Sequence, residues 1–170
     1  DCEASILDFT HYEIMVDAGA YNGDTIRELL HYTDGKFASV TALEPDRRSF
    51  RKLNEWASAN ITGDVTLVQA GAWNEDTVKC FTDQAGRQSR VANKGRETQM
   101  RALDSVLSGR PCTYLKMDVE GAEREAIAGA EKTIRQYAPK LNIAAYHRSE
   151  DFFQLPLLIH ALQPSYRLYL

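Results

Sequence analysis

Four short segments of this 170-residue chain carry residue types that could hold and transform a ligand. The first is Val16-Asp17-Ala18-Gly19-Ala20-Tyr21-Asn22-Gly23-Asp24. Gly19 permits a sharp turn and lets backbone approach a ligand with no Cβ in the way. Gly23 stands before an expected helix start, where exposed N–H groups can hold an anionic group. The spacing is Gly-x-x-x-Gly, not the dinucleotide pattern Gly-x-Gly-x-x-Gly, and an acidic Asp17 facing the site suits an ammonium better than a pyrophosphate. The second is Glu44, a carboxylate able to accept two hydrogen bonds from ribose hydroxyls; its alternative is a solvated strand end. The third is Gln69-Ala70-Gly71-Ala72-Trp73, whose small residues would let an adenine ring lie against backbone. The fourth, Leu115-Lys116-Met117-Asp118-Val119-Glu120-Gly121-Ala122-Glu123, gathers three carboxylates and a glycine. Acids favour helix N-termini, so Glu123 reads as a first-turn charge and Asp118 as the functional candidate. His147 follows later, and imidazole is the side chain that ordinarily titrates near neutrality.

Each segment comes directly after a short apolar run, and those runs define the scaffold. Strands are expected at 13–17, 38–43, 65–68, 113–118 and 141–146. Between them lie amphipathic helical patterns: one begins at Asp24 as N-cap with Ile26, Leu29 and Leu30 on one face, and one is capped by Asp46 with Phe50, Leu53, Trp56 and Ala57 inward. A single helix is expected over Glu123–Tyr137, and a last one over Glu150–Leu162, divided by Pro156. Residues 73–112 are polar and glycine-containing, and read as a β-rich, hairpin-like insertion followed by a short helix at Asp104–Leu107. Strands alternating with helices imply an α/β fold: a mostly parallel, Rossmann-like sheet with helices on both faces. In such sheets ligands bind beyond the carboxyl ends of the strands, where all four segments fall.

Together these residues resemble the class I methyltransferases that use S-adenosylmethionine (SAM), and within them the FkbM-type family. The resemblance rests on residues 16–23, Leu43-Glu44-Pro45, Leu103-Asp104-Ser105-Val106-Leu107 and above all residues 115–123, which look like a Lys-x-Asp-x-Glu-Gly-Ala-Glu signature. It runs from about residue 14 to 147 and implies a seven-stranded sheet ending in an antiparallel hairpin. Only the first of those last strands, Tyr166–Leu170, would be present, leaving that edge truncated. By the same resemblance Asp17, Gly19, Ala20, Tyr21 and Gly23 surround the methionine part of SAM, with Asp17 near its ammonium. Glu44 holds the ribose, Ala70, Gly71 and Ala72 border the adenine, and Asp118 lies close to the sulfonium. The implied reaction is O-methylation of a sugar, glycolipid or natural-product hydroxyl, with N-methylation as its alternative. His147 is the candidate general base. Mg²⁺ on Asp118 and Glu120 is disfavoured, because residues i and i+2 leaving a strand need not converge on one ion.

Composition narrows the field. With 44% hydrophobic and 26% charged residues the chain is ordinary globular protein, read as one domain over 1–170. A net charge of −4 gives no pull toward nucleic acid. There is no membrane-spanning run, and the start lacks a signal peptide. Three cysteines, Cys2, Cys80 and Cys112, cannot all pair, which favours a reducing, cytoplasmic setting. Residue 1 is not Met and the last residues alternate as a strand does, so a domain cut from a longer chain is expected. The expected partner is a small-molecule or glycan acceptor, and oligomeric state is not legible. A basic run, Arg87, Arg90, Lys94, Arg96 and Arg101, reads as a solvated loop, with recognition of an anionic acceptor as the alternative. A non-catalytic module that kept the fold is the competing reading from another class.

Overall fold

The protein is seen in a computed structural model that describes residues 2–81 and 96–169; Arg87, Arg90 and Lys94 of the basic run lie outside them. In chain order the elements are α1 Cys2–Leu7, β1 Ile14–Ala18, α2 Asp24–Tyr32, β2 Ser39–Leu43, α3 Arg47–Asn60, β3 Asp64–Val68, β4 Gly71–Trp73, β5 Thr77–Phe81, β6 Arg96–Ala102, α4 Leu103–Leu107, β7 Tyr114–Met117, α5 Glu123–Ala128, α6 Glu131–Tyr137, β8 Lys140–Ile143 and α7 Asp151–Leu162.

The main sheet has the order β3-β2-β1-β7-β8, with every pair parallel. Alternate residues of each strand leave on opposite faces, and the core divides accordingly. Met15, Val40 and Tyr114 pack with Ile26, Leu29 and Leu53 under α2 and α3. Val16, Leu43 and Leu115 pack with Ile127, Ile134 and Ile159 under α5–α7. Burial on both faces is the usual condition of a parallel sheet. Chain order reverses between β1 and β7, which makes the carboxyl end of β1 the switch point where such sheets open a crevice.

The strands β4, β5 and β6 form a second sheet of order β4-β6-β5. The expected hairpin is present as β5 antiparallel to β6. Gly71–Trp73 is a short strand parallel to β6. Asp76 fixes this unit by accepting the Ala102 N–H at 2.9 Å and pairing with Arg101 at 3.0 Å.

Three local expectations differ from the structure. The helix expected over 123–137 breaks at Gly129-Ala130 into α5 and α6. A Cβ on Gly129 would lie 1.9 Å from the Trp73 carbonyl oxygen, so β4 presses on backbone at that point. Asp104 then begins the second helix, accepting the N–H groups of Lys132 and Thr133, each at 2.9 Å, and the Thr133 hydroxyl at 2.7 Å. Pro156 does not divide α7, which runs unbroken through it, anchored by buried Leu155, Ile159 and Leu162. Tyr166–Tyr169 form no strand. The Tyr166 hydroxyl donates to the Pro139 carbonyl at 2.6 Å, which folds this segment onto the start of β8.

Asp104→Ala should remove the cap of α6 and cost about 1–2 kcal/mol, lowering the melting temperature by roughly 2–8 °C in a domain of this size. Thermal unfolding followed by circular dichroism checks this; an unchanged melting temperature would mean that Gly129 packing alone sets the break.

Candidate active site

The carboxyl ends of β1, β2 and β7 border an open cavity of about 110 Å³. Glu44, Gly19, Gly71, Met100, Lys116 and Asp118 form much of its wall. A second groove, between α1, β8 and α7, is lined mainly by aliphatic and aromatic side chains with Lys140 and Arg167, and lies away from the strand ends that carry the acidic residues.

Asp17 lies one residue before the end of β1 and is completely buried. Parallel register sets it opposite Lys116 of β7, so both side chains leave the same face and the ammonium reaches the carboxylate at 3.2 Å. Lys116 also donates to the Gly19 carbonyl at 2.9 Å. Burial pushes the Asp17 carboxyl above its ordinary range, with Lys116 opposing. Asp17 therefore stands behind the wall, and Lys116 faces the cavity in its place.

The glycine loop divides by role. Gly19, at φ +85°, lies so close to β7 that a Cβ would sit 1.9 Å from the Asp118 carbonyl oxygen. It lines the cavity, as does Tyr21. Ala20 is buried in the cluster under α2 and α3. Gly23 also has φ +85°, and a Cβ there would strike the Trp56 ring at 2.7 Å. Its N–H donates to the Ala20 carbonyl at 2.7 Å, so Gly23 serves packing and its own N–H is already engaged. Gly23, not Asp24, is the N-cap residue of α2.

Glu44 is 6% exposed. One carboxylate oxygen accepts the Tyr21 N–H at 2.8 Å and the other the Asp46 N–H at 2.7 Å. Burial nevertheless pushes its carboxyl up to about 7, the two N–H groups opposing and nearby Asp46 and Asp17 adding to the rise. Asp46 caps α3 as expected, accepting from Arg48 and Ser49. Gly71 and Ala72 reach the wall while Ala70 is buried behind it. Met100 of the insertion closes this side, with its thioether against the face of Gly71 where a Cβ would lie.

Asp118 forms the opposite wall. Its Oδ2 accepts the Tyr146 hydroxyl at 2.9 Å. His147 is not in the wall but packs behind it, its side chain 7% exposed. Nε2 lies 3.4 Å from Asp118 Oδ1 and 3.3 Å from Glu120 Oε2, and Nδ1 lies 3.0 Å from Glu123 Oε1. Glu123 is not the solvated first-turn charge that the sequence pattern suggests. It is 1% exposed and accepts the N–H groups of Val119 and Gly121 at 3.0 and 3.3 Å.

Sequence reasoning missed Met100, Lys116 and Glu123. Lys116 was within reach, because a cation flanked by apolar residues in a buried strand needs a partner. Met100 carried no signal, since only the fold of the insertion brings it to β4.

Comparison with known proteins follows the same outline. Residues 17–167 match the model of the methyltransferase FkbM domain. The crystal structure of methyltransferase FkbM from Methylobacillus flagellatus superposes with a TM-score of 0.81 at 31% identity, covering 96% of this chain and 41% of that one. The chain thus spans less than half the length of that protein. No curated protein matches.

Lys116→Met should leave the Asp17 carboxylate buried without its cation, which costs about 3–5 kcal/mol at neutral pH. Burial holds the Asp17 carboxyl above its ordinary range in the folded state, so the loss should be smaller at acidic than at neutral pH, because protonation removes the uncompensated charge. Urea unfolding at the two pH values checks this; an equal loss at both would show that the pair does not hold the site.

Proposed function

The chain belongs to the FkbM methyltransferase domain family, and on that premise we propose that it is a SAM-dependent methyltransferase acting on a hydroxyl of a small-molecule or glycan acceptor. Glu44 carries the reading. A carboxylate buried at the mouth of the cavity, with each oxygen held by one backbone N–H, retains lone pairs for two further donors, which the vicinal hydroxyls of a ribose supply. The same carboxyl is held near neutrality by its burial, so it gains most from a ligand that donates to its charged form.

The rest of the wall fits the remaining parts of that cofactor. Gly71, Ala72 and Met100 offer a largely apolar surface for an adenine. Asp24, Asp118 and Glu120 line the cavity with carboxylates suited to the ammonium and sulfonium charges. Asp17 acts through Lys116 and the Gly19 carbonyl, keeping the loop at its close approach to β7. When bound, SAM supplies an electrophilic methyl group and its own leaving group. The chain's contribution is placement of the acceptor oxygen in line, near contact distance. Asp118 stands where an acceptor can reach it, while both nitrogens of His147 already face carboxylates. His147 is thus a positioning residue, holding Asp118 instead of reaching the acceptor itself.

S-Adenosylhomocysteine should bind the chain, and Glu44→Ala should weaken binding about tenfold or more, from loss of roughly 1.5–3 kcal/mol of charged hydrogen bonding. Because the ligand selects the ionised carboxylate of a group held at about 7, binding should release protons and tighten as pH rises through that value. In Glu44→Gln that pH dependence should vanish. Calorimetry in buffers of different ionisation enthalpy measures both; affinity unchanged by pH and by Glu44→Ala would refute the reading.

A further inference from the structure

Behind Asp118, one imidazole and three carboxylates share a small, largely buried space, and their hydrogen bonds are unevenly distributed. Asp118 Oδ2 accepts from Tyr146, but Asp118 Oδ1 is buried with no hydrogen-bond partner. Glu123 Oε1 accepts two backbone N–H groups, but Glu123 Oε2 is buried with none. His147 Nδ1 is likewise buried without a hydrogen bond, although Glu123 Oε1 lies 3.0 Å away. In both carboxylates one oxygen is tethered and the other left bare. Bare buried oxygens beside a 1%-exposed Glu123 are costly unless a positive charge meets them. A protonated imidazole would offset only one of the three carboxylates.

One ligand atom from each of Asp118, Glu123 and His147 lies within 4.8 Å of the other two. Atoms bound to one cation at about 2.0–2.2 Å stand roughly 3–4.5 Å apart; an ion on Nε2, the nitrogen that faces Asp118, requires the Glu123 carboxylate to turn from Nδ1 toward it. The tethers from Tyr146, Val119 and Gly121 are the outer-shell hydrogen bonds that orient metal-binding carboxylates. Two carboxylates and a neutral imidazole together balance a charge of 2+.

We propose that Asp118, Glu123 and His147 hold one divalent cation at the rim of the cavity. The nitrogen in the set selects first-row ions such as Mn²⁺, Fe²⁺ or Zn²⁺ over Mg²⁺ and Ca²⁺, which favour all-oxygen sites. The Asp118/Glu120 pairing weighed from sequence is replaced by a set spanning the end of β7, the start of α5 and the residues beyond β8. Three protein ligands leave coordination positions open, and Asp118 belongs to both the cluster and the cavity wall. An acceptor hydroxyl bound there loses its proton to water and attacks the methyl carbon. A carbon–oxygen bond forms as the carbon–sulfur bond breaks, its electron pair staying on sulfur. That role rests on the methyltransferase reading; cation binding does not.

The test is titration of the chelator-treated chain with Mn²⁺, read by the paramagnetic resonance of free Mn²⁺, with Zn²⁺ as competitor. One saturable site per chain is expected. Asp118→Asn and His147→Ala should each weaken it by about tenfold or more, while Glu44→Ala leaves it unchanged. Circular dichroism establishes which variants fold, and the conservative Asp118→Asn decides if His147→Ala does not. Absence of saturable binding of either ion at millimolar concentration overturns the site, as do folded variants that bind like the parent. Calorimetry with S-adenosylhomocysteine on the same samples separates the two ideas. Cation binding without it sinks the methyltransferase reading alone; the reverse sinks the cation site alone.

Discussion

Like charges crowd the carboxyl edge of this sheet, and much of the site is organised around that constraint. Asp17, Glu44 and Asp118 come from three adjacent strands or their ends, β1, β2 and β7. Burial raises the proton affinity of Asp17 and Glu44, and nearby carboxylates add to the rise. Each is compensated differently. Asp17 meets a lysine set opposite by strand register. Glu44 takes one backbone N–H on each oxygen. Asp118 takes a tyrosine hydroxyl and lies against an imidazole.

These three solutions leave the carboxylates with different freedom, and function follows the difference. Asp17 is locked beneath the floor, where its work is structural. Glu44 has one backbone N–H on each oxygen, and burial raises its carboxyl to about 7. Asp118 is 30% exposed at the rim and is the carboxylate best placed to meet something arriving from solvent. The insertion completes the enclosure: β4 carries Gly71 to the wall, β6 brings Met100 against it, and Trp73 presses on Gly129 to break the helix behind. One contact thus links the Gly71 side of the cavity to the helices that pack under β7 and β8.

Much of this was legible in the chain because parallel sheets advertise themselves locally. Apolar runs of four to six residues, most of them followed by a turn and an amphipathic helix, located every strand of the main sheet. The position of Glu44 at the end of such a run was enough to single it out. What the sequence hid was decided across long separations. Glu123 has the type and place of an ordinary first-turn acid, and only the arrival of His147 from beyond β8 shows that it is a buried hub. Gly23 looks like a ligand-loop glycine until Trp56 of α3 occupies the space above it. The break at Gly129 has no signal of its own, since it answers to a carbonyl in β4. The alternating tail at Tyr166 reads as a strand, yet its hydroxyl finds the Pro139 carbonyl instead.

The account turns on an adenosyl ligand sitting across the ends of β1, β2 and β7 with its ribose on Glu44. A crystal structure of the chain with S-adenosylhomocysteine tests this most directly. The ribose hydroxyls should lie within hydrogen-bond distance of the Glu44 carboxylate, the adenine against Gly71 and Met100, and the sulfur beside Asp118. A ligand bound in the groove between β8 and α7, or one in the cavity with its ribose away from Glu44, would contradict it.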